Sequence, residues 1–147
     1  MGVESSFLAF LKEDTWHLLL FAIAVVSGGM LLWSIGKRLF VRSAPQVSPA
    51  EAVQLINHRD ALVLDVRAAA ERSGGHIPHA RHLPFNELKQ RTGELEQFKG
   101  RPVVVSCQWG AQAAVASAAL RKNGFSEVFV LRGGVNAWRE ANLPMEK

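Results

Sequence analysis

Apolar and polar positions follow two different rhythms on either side of residue 45. From Thr15 to Gly36 the chain reads TWHLLLFAIAVVSGGMLLWSIG, twenty-two residues without Asp, Glu, Lys or Arg. As a helix such a run rises about 33 Å, enough for a hydrocarbon core of about 30 Å. Trp16 and Trp33 stand near its ends, where amphipathic rings favour the headgroup level. The pattern predicts a single transmembrane helix over 15–36. A cleaved signal peptide would need a basic leading region and a small-residue cleavage site. Here Glu13 and Asp14 precede the run and Lys37 and Arg38 follow it. A buried helix in so small a domain would not stay apolar all round for this length.

The flanking charges predict an orientation. Lys37, Arg38 and Arg42 follow the run and only Lys12 lies close before it. Positive charge stays cytoplasmic. Residues 1–14 then form a short extracytoplasmic N-terminus, 37–45 a basic juxtamembrane linker, and 46–147 a cytoplasmic domain, the arrangement of a single-pass protein of a bacterial inner membrane. The helix and its basic triad put membrane lipid among the expected partners. Ala24 and Gly28 form a small-xxx-small pair that leaves a membrane-protein partner open.

Beyond residue 45 the rhythm shortens to runs of four to six apolar residues between turn signals. RSAPQVSPA (42–50) reads as a linker, and SPAE (48–51) as a helix start: Ser48 caps, Pro49 suits the first helical position, and Glu51 closes a capping box. The helix should end near His58. ALVLDV (61–66) is a buried strand, followed by a brief helix and the punctuation of SGGHIP. ARHLP (80–84) is a short strand, and 85–98 carries one or two short helices broken at Gly93. RPVVVSC (101–107) is a strong strand, AQAAVASAALRKNG (111–124) a helix closed by Asn123 and Gly124, SEVFVL (126–131) a strand, and GGVNAWREANLP (133–144) a last helix. Strands alternating with helices predict an α/β fold whose parallel sheet is covered on both faces. Its functional loops should gather at the carboxyl ends of the strands. Asp65, Arg67, Cys107 and Arg132 with Gly133 and Gly134 all fall at such ends.

Charge and cysteine usage narrow the chemistry. From Ala44 onward there are 13 basic and 10 acidic residues, spread along the chain rather than clustered, which does not argue for nucleic acid. Cys107 is the only cysteine, so an intramolecular disulfide is excluded and a reducing compartment suits the chain. It stands where strand hands over to helix. The loop Gln108, Trp109, Gly110, Ala111, Gln112 and Ala113 must turn there, and its amides precede the helical ladder. Turned inward, such amides form a cradle for anions and stabilise a thiolate. Gly110 supplies the backbone freedom the turn needs. The same cradle suits a persulfide, a thiosulfate or a phosphoryl group on the sulfur. The plain alternative is an inert buried thiol.

Three motifs bring a resemblance. Asp65, Val66, Arg67, Glu71, Gly75, His76, Ile77, Pro78, Ala80 and Pro84 are similar to a DVR…E…GHIPGA…P region. Cys107, Gln108, Trp109, Gly110, Ala111 and Gln112 resemble a C-x-x-G-x-R loop. Gly133, Gly134, Ala137, Trp138, Leu143 and Pro144 resemble a closing GG…AW…LP. In order and spacing these resemble the single-domain rhodaneses, the sulfurtransferase family, over about 46–145. With the N-terminal helix the whole resembles bacterial membrane-anchored rhodanese-like proteins. The resemblance implies a five-stranded parallel sheet flanked by helices. It also implies that Cys107 takes sulfane sulfur from a donor, holds it as a persulfide and passes it to a thiol or other nucleophilic acceptor, small molecule or protein. No metal or organic cofactor is implied.

One residue departs from the family pattern. The loop's closing arginine is Gln112 here. An arginine would clamp an anionic donor with paired hydrogen bonds, which glutamine does without charge, so thiosulfate becomes a poorer candidate donor. Arg132 is a candidate replacement for the charge. A cysteine phosphatase of similar fold would need a longer loop and that arginine. Asp65 and Arg67 read as loop braces near the site. His76, His79 and His82 fall in an extended segment where their spacing does not gather three rings around a metal. Trp138 reads as core, and Trp109 as a shield for the sulfur, an apolar contact for a partner, or local packing. The residues leave two function classes: a sulfurtransferase working through Cys107, and a rhodanese-like interaction module tethered at the membrane.

Overall fold

The computed structural model describes residues 3–40 and 43–147 and divides into two units, one before Ser43 and one from Ser43 to Lys147. Helix α1 spans Val3–Phe40 and so extends past the apolar run on both sides. Within it Trp16–Ser34 is long and apolar enough to cross a membrane, and its large side chains, from Trp16 to Trp33, are exposed. Its hydroxyls are turned back onto the helix: Ser27 Oγ donates to Ala24 O at 3.1 Å and Ser34 Oγ to Leu31 O at 2.8 Å. Such back-bonding satisfies a polar group without water. The side chains of Lys12, Lys37, Arg38 and Arg42, on which the expected orientation rests, lie outside the described residues.

The second unit is a five-stranded parallel sheet with helices on both faces. Its elements are β1 (Gln46–Val47), α2 (Pro49–Arg59), β2 (Leu62–Asp65), α3 (Ala69–Arg72), β3 (Arg81–His82), α4 (Leu88–Arg91), a 3₁₀ stretch over Thr92–Phe98, β4 (Val103–Ser106), α5 (Ala111–Lys122), β5 (Val128–Leu131) and α6 (Gly134–Glu140). The strand order is β1-β5-β4-β2-β3. The central pair is in register from Leu62 with Val103 to Asp65 with Ser106, so Asp65 and the start of the cysteine loop leave the sheet side by side.

The alternation along the central strands sorts the core. Leu62, Leu64, Val103, Val105 and Cys107 face one cluster, together with Ala113, Ala116 and Leu120 of α5. Ala61, Val63 and Val104 face the other, with Ala52 of α2 and Val135 and Trp138 of α6. Both faces are covered, which is why these strands read as unbroken apolar runs. A period of two places the Cys107 side chain on the α5 side of the sheet.

Three expectations are corrected. The linker reading of 42–50 hides β1: Val130 N–H donates to Pro45 O at 3.0 Å and Arg132 N–H to Val47 O at 2.8 Å. A two-residue strand carries no periodic signal, and only its partner β5 defines it. The last helix ends at Glu140 rather than near Pro144. Asn142 adopts φ 55°, and the chain returns so that His76 and Glu146 exchange backbone hydrogen bonds at 2.8 Å. Trp138 Nε1 holds that return by donating to Pro144 O at 2.9 Å. Gly93 does not break two helices; α4 stops at Arg91, and Gly93 lies inside the 3₁₀ stretch.

The start of α2 forms as its sequence predicts. Glu51 N–H donates to Ser48 Oγ at 3.3 Å and Ser48 N–H donates to Glu51 Oε2 at 2.6 Å, a complete capping box. The Ser48 amide, then its hydroxyl, and finally the charge of Arg132 hold the Glu51 carboxyl below its ordinary value. A carboxyl whose folded-state value is depressed stabilises the fold above its unfolded value, and that stability is lost as pH falls through the folded value. Acid unfolding of wild type and Glu51→Gln should therefore diverge near neutrality and converge below the usual carboxylate range. Denaturant midpoints measured across pH test this, and parallel curves would remove the box from the account.

Candidate active site

Cys107 is the first residue after β4, and only 2% of it is exposed. The loop that follows folds back over its sulfur. Gly110 N–H donates to Sγ at 2.9 Å, a short distance for sulfur. Gly110 adopts φ 108°, a conformation that side chains disfavour, and so acts as the glycine N-cap of α5. The first helical amide bond of α5 is Ala114 N–H to Gly110 O at 3.1 Å. The amides of Ala111, Gln112 and Ala113 thus precede the ladder, at the positive end of a 12-residue helix. Of the loop amides expected around the sulfur, Gly110 is the one described as donating to it.

The carbonyl side of the loop is held by α6. Val135 N–H donates to Cys107 O at 2.8 Å and Asn136 N–H to Gln108 O at 3.5 Å. This approach requires a glycine at 134, since a Cβ there would meet Cys107 O at 2.2 Å. A buried brace supports the loop from the other side. Arg67 Nη2 donates to Asp65 Oδ2 at 2.7 Å, and both side chains are 1% exposed. Arg67 also reaches Gly75 O at 2.9 Å and Gln108 Oε1 at 3.3 Å. Gln108 Nε2 donates onward to Asn136 Oδ1 at 2.8 Å. The residue after the cysteine is thereby gripped from β2 through Arg67 and from α6 through Asn136.

The remaining candidates fall in two groups. Ala111 and Gln112 are exposed on the first turn of α5, Ala113 is buried beneath them, and Trp109 is 73% exposed at the loop tip. That exposure removes local packing as the role of Trp109. Arg132 is also exposed; its backbone joins β1, its charge acts on Glu51, and no described hydrogen bond or ion pair joins it to the cysteine loop. The three histidine rings do not converge: His82 Nε2 is 2.8 Å from Arg67 O, His76 Nε2 lies 3.6 Å from Glu146 Oε2, and His79 meets the same carboxylate oxygen through its backbone N–H at 3.4 Å. Among the described residues no three His, Cys, Asp or Glu side chains gather to hold a metal. Asn136 escaped the sequence reading, because one asparagine inside a helix carries no signal of its own. The double glycine before it was the available clue to a close backbone approach.

A lone thiol gripped by backbone at the exit of a central parallel strand defines a class, the α/β proteins with a cysteine loop between strand and helix. This chain belongs to the rhodanese-like domain family, whose pattern matches residues 48–141. It is 41% identical over 100 residues to the uncharacterized protein YibN of Escherichia coli K12, covering 67% of this chain and 70% of that one. It is 38% identical over 92 residues to a protein of Allochromatium vinosum named sulfurtransferase, covering 63% and 84%. Among solved structures, a rhodanese-related protein from Thermoplasma volcanium superposes with a TM-score of 0.63 at 26% identity, over 69% of this chain and 97% of that one.

Removing one member of a buried ion pair leaves the other charge unmatched, at a cost of about 3–5 kcal/mol. Asp65→Asn should lower stability on that scale, because the other acceptors described for Arg67 are two backbone carbonyls and an amide oxygen, none of them a carboxylate. Chemical unfolding of the variant measures it, and a loss under 1 kcal/mol would show that the brace is dispensable.

Proposed function

We propose that this protein is a membrane-anchored sulfurtransferase that carries sulfane sulfur on Cys107. The observation that carries the reading is the Gly110 amide directed at Sγ at 2.9 Å, at the end of a helix whose first amides precede its ladder. Such an environment favours negative charge on sulfur. In the first half-reaction the Cys107 thiolate attacks the sulfane sulfur of a donor. A bond forms between the two sulfurs, the donor's own bond to that sulfur breaks, and the leaving group departs with the electron pair. Cys107 then carries a persulfide. In the second half an acceptor thiolate attacks the outer sulfur, and the Cys107 thiolate is released. The cycle is redox-neutral and uses no cofactor.

In this reading Gln108, Trp109, Gly110, Ala111, Gln112 and Ala113 line the reacting sulfur, and Asp65 and Arg67 hold the loop's shape. Residues 15–36 are the membrane anchor, 37–45 the juxtamembrane linker and 46–147 the cytoplasmic catalytic domain, with 1–14 outside. Support for the anchor comes from the exposed apolar side chains of Trp16–Ser34 and the back-bonded hydroxyls of Ser27 and Ser34.

Intact-mass measurement after incubation with polysulfide should show the addition of one sulfur atom, absent in Cys107→Ser. A folded protein that takes sulfur from no donor favours the tethered interaction module instead. Gln112→Arg should raise turnover of thiosulfate by about tenfold, the effect of one hydrogen bond to a charged group; an unchanged rate would separate residue 112 from donor binding.

The anchor is tested independently. The protein should stay in the inner-membrane fraction through an alkaline carbonate wash, and protease outside spheroplasts should leave the 43–147 unit intact. A soluble product lacking the apolar run would mark that run as a signal sequence.

A further inference from the structure

Resting on the sulfurtransferase reading, the charge and exposure pattern around Cys107 narrows the class of acceptor. From Val103 to Leu120 the chain contains no Asp, Glu, Lys, Arg or His. This neutral stretch includes the entire cysteine loop and nearly all of α5. Apart from Gln112 its exposed positions are apolar: Trp109 is 73% exposed, Val115 59%, and Ala111 is exposed with Ala114 and Val115 three and four residues on, along one side of the helix. Elsewhere in the Ser43–Lys147 unit, Phe85, at 37%, is the remaining exposed large hydrophobic among the described residues. The two most exposed large apolar side chains of the unit thus share one short segment with the thiol.

No charged side chain on this stretch offers a clamp for a small oxyanion. Gln112 has no charge, and the guanidinium of Arg67 is committed to Asp65, Gly75, Glu71 and Gln108. A lipid surface fits poorly too, since interfacial segments pair apolar residues with Lys or Arg on the polar side. An uncharged, partly aromatic rim around a polar reacting centre matches the core of a protein–protein contact, where charged residues are depleted and aromatics enriched.

We propose that the sulfur acceptor is a protein whose reactive cysteine is set among apolar residues, and that it docks on the stripe formed by Trp109, Ala111, Ala114 and Val115. Cys107 is almost fully buried, and its persulfide lengthens the side chain by one S–S bond, about 2 Å. The acceptor thiolate attacks that outer sulfur; a new S–S bond forms on the acceptor, the bond to Cys107 Sγ breaks, and Cys107 regains its electron pair as thiolate.

The test uses the full chain in detergent micelles, with Cys107 first loaded by polysulfide. Two synthetic peptides of equal length serve as acceptors, each with one cysteine. Val, Leu and Ala flank it in one, and Ser, Glu and Lys in the other. Single-turnover mass spectrometry gives both discharge rates. The apolar peptide should be faster by about tenfold, the scale of burying one valine-sized contact. Val115→Glu and Val115→Lys should both bring the rate ratio close to one. Equal rates in wild type would overturn the proposal, as would a ratio that survives both substitutions; a loss with only one of the two charges would show electrostatic selection and overturn it as well. If discharge to the apolar peptide is lost on moving from micelles to mixed phosphatidylcholine–phosphatidylglycerol vesicles, the stripe belongs to lipid and the proposal fails. A Cys107 that never loads sulfur defeats the sulfurtransferase reading itself. One that loads and discharges without preference defeats only the protein acceptor.

Discussion

The Arg67 guanidinium is a cation that the domain buries beside its cysteine loop, and its arrangement constrains everything around it. A buried cation is tolerated only when it is paired and its remaining hydrogens are satisfied. Asp65 supplies the charge, and the carbonyls of Glu71 and Gly75 and the amide of Gln108 supply the rest. Meeting that demand ties the end of β2, the turn after α3 and the residue following Cys107 into one body. The loop is therefore positioned by the need to keep an ion satisfied as much as by apolar packing.

The parallel register makes this brace effective. Asp65 pairs with Ser106, so the acid that matches Arg67 and the thiol at 107 emerge from adjacent strands at the same edge of the sheet. Strand alternation then directs the sulfur to the α5 side, where the Gly110 amide meets it at 2.9 Å. From the opposite side α6 donates to the loop's carbonyls, and that approach is possible because residue 134 has no side chain. The loop's carbonyls are thus occupied by α6 while the amide of Gly110 is left for the sulfur. This division of polar groups is what a site for negative sulfur requires.

Neutrality of the loop separates this chain from a donor site built on charge. With Gln112 where the family pattern has arginine, the loop itself carries no charged side chain, and what it turns toward the sulfur is a backbone dipole. Dipoles at a helix start act over a short range, within about the first turn. They suit a charge already bonded to the sulfur better than one that must be drawn in from solution. In the proposed transfer, the exposed Trp109 and Val115 offer contact area that would select a partner by surface rather than by charge.

Local signals in the sequence determined a good deal. The capping box at Ser48 and Glu51, the strands at 62–65, 103–106 and 128–131, and the helix ending at Asn123 each arise from neighbouring residues. The apolar run at 15–36 was equally plain, because length and absence of charge are properties of a single segment. Candidate residues were legible too, since Cys107 and Gly110 sit at an unmistakable strand-to-helix turn. What only the tertiary structure decided depended on residues distant along the chain. β1 exists because β5 pairs with it, Gln108 is gripped by Arg67 and Asn136 across gaps of 41 and 28 residues, and Arg132 acts on Glu51 rather than being joined to the cysteine loop. Periodicity and turn chemistry are written in adjacent residues, whereas the partners of a buried polar group are chosen by how the sheet brings its strand ends together.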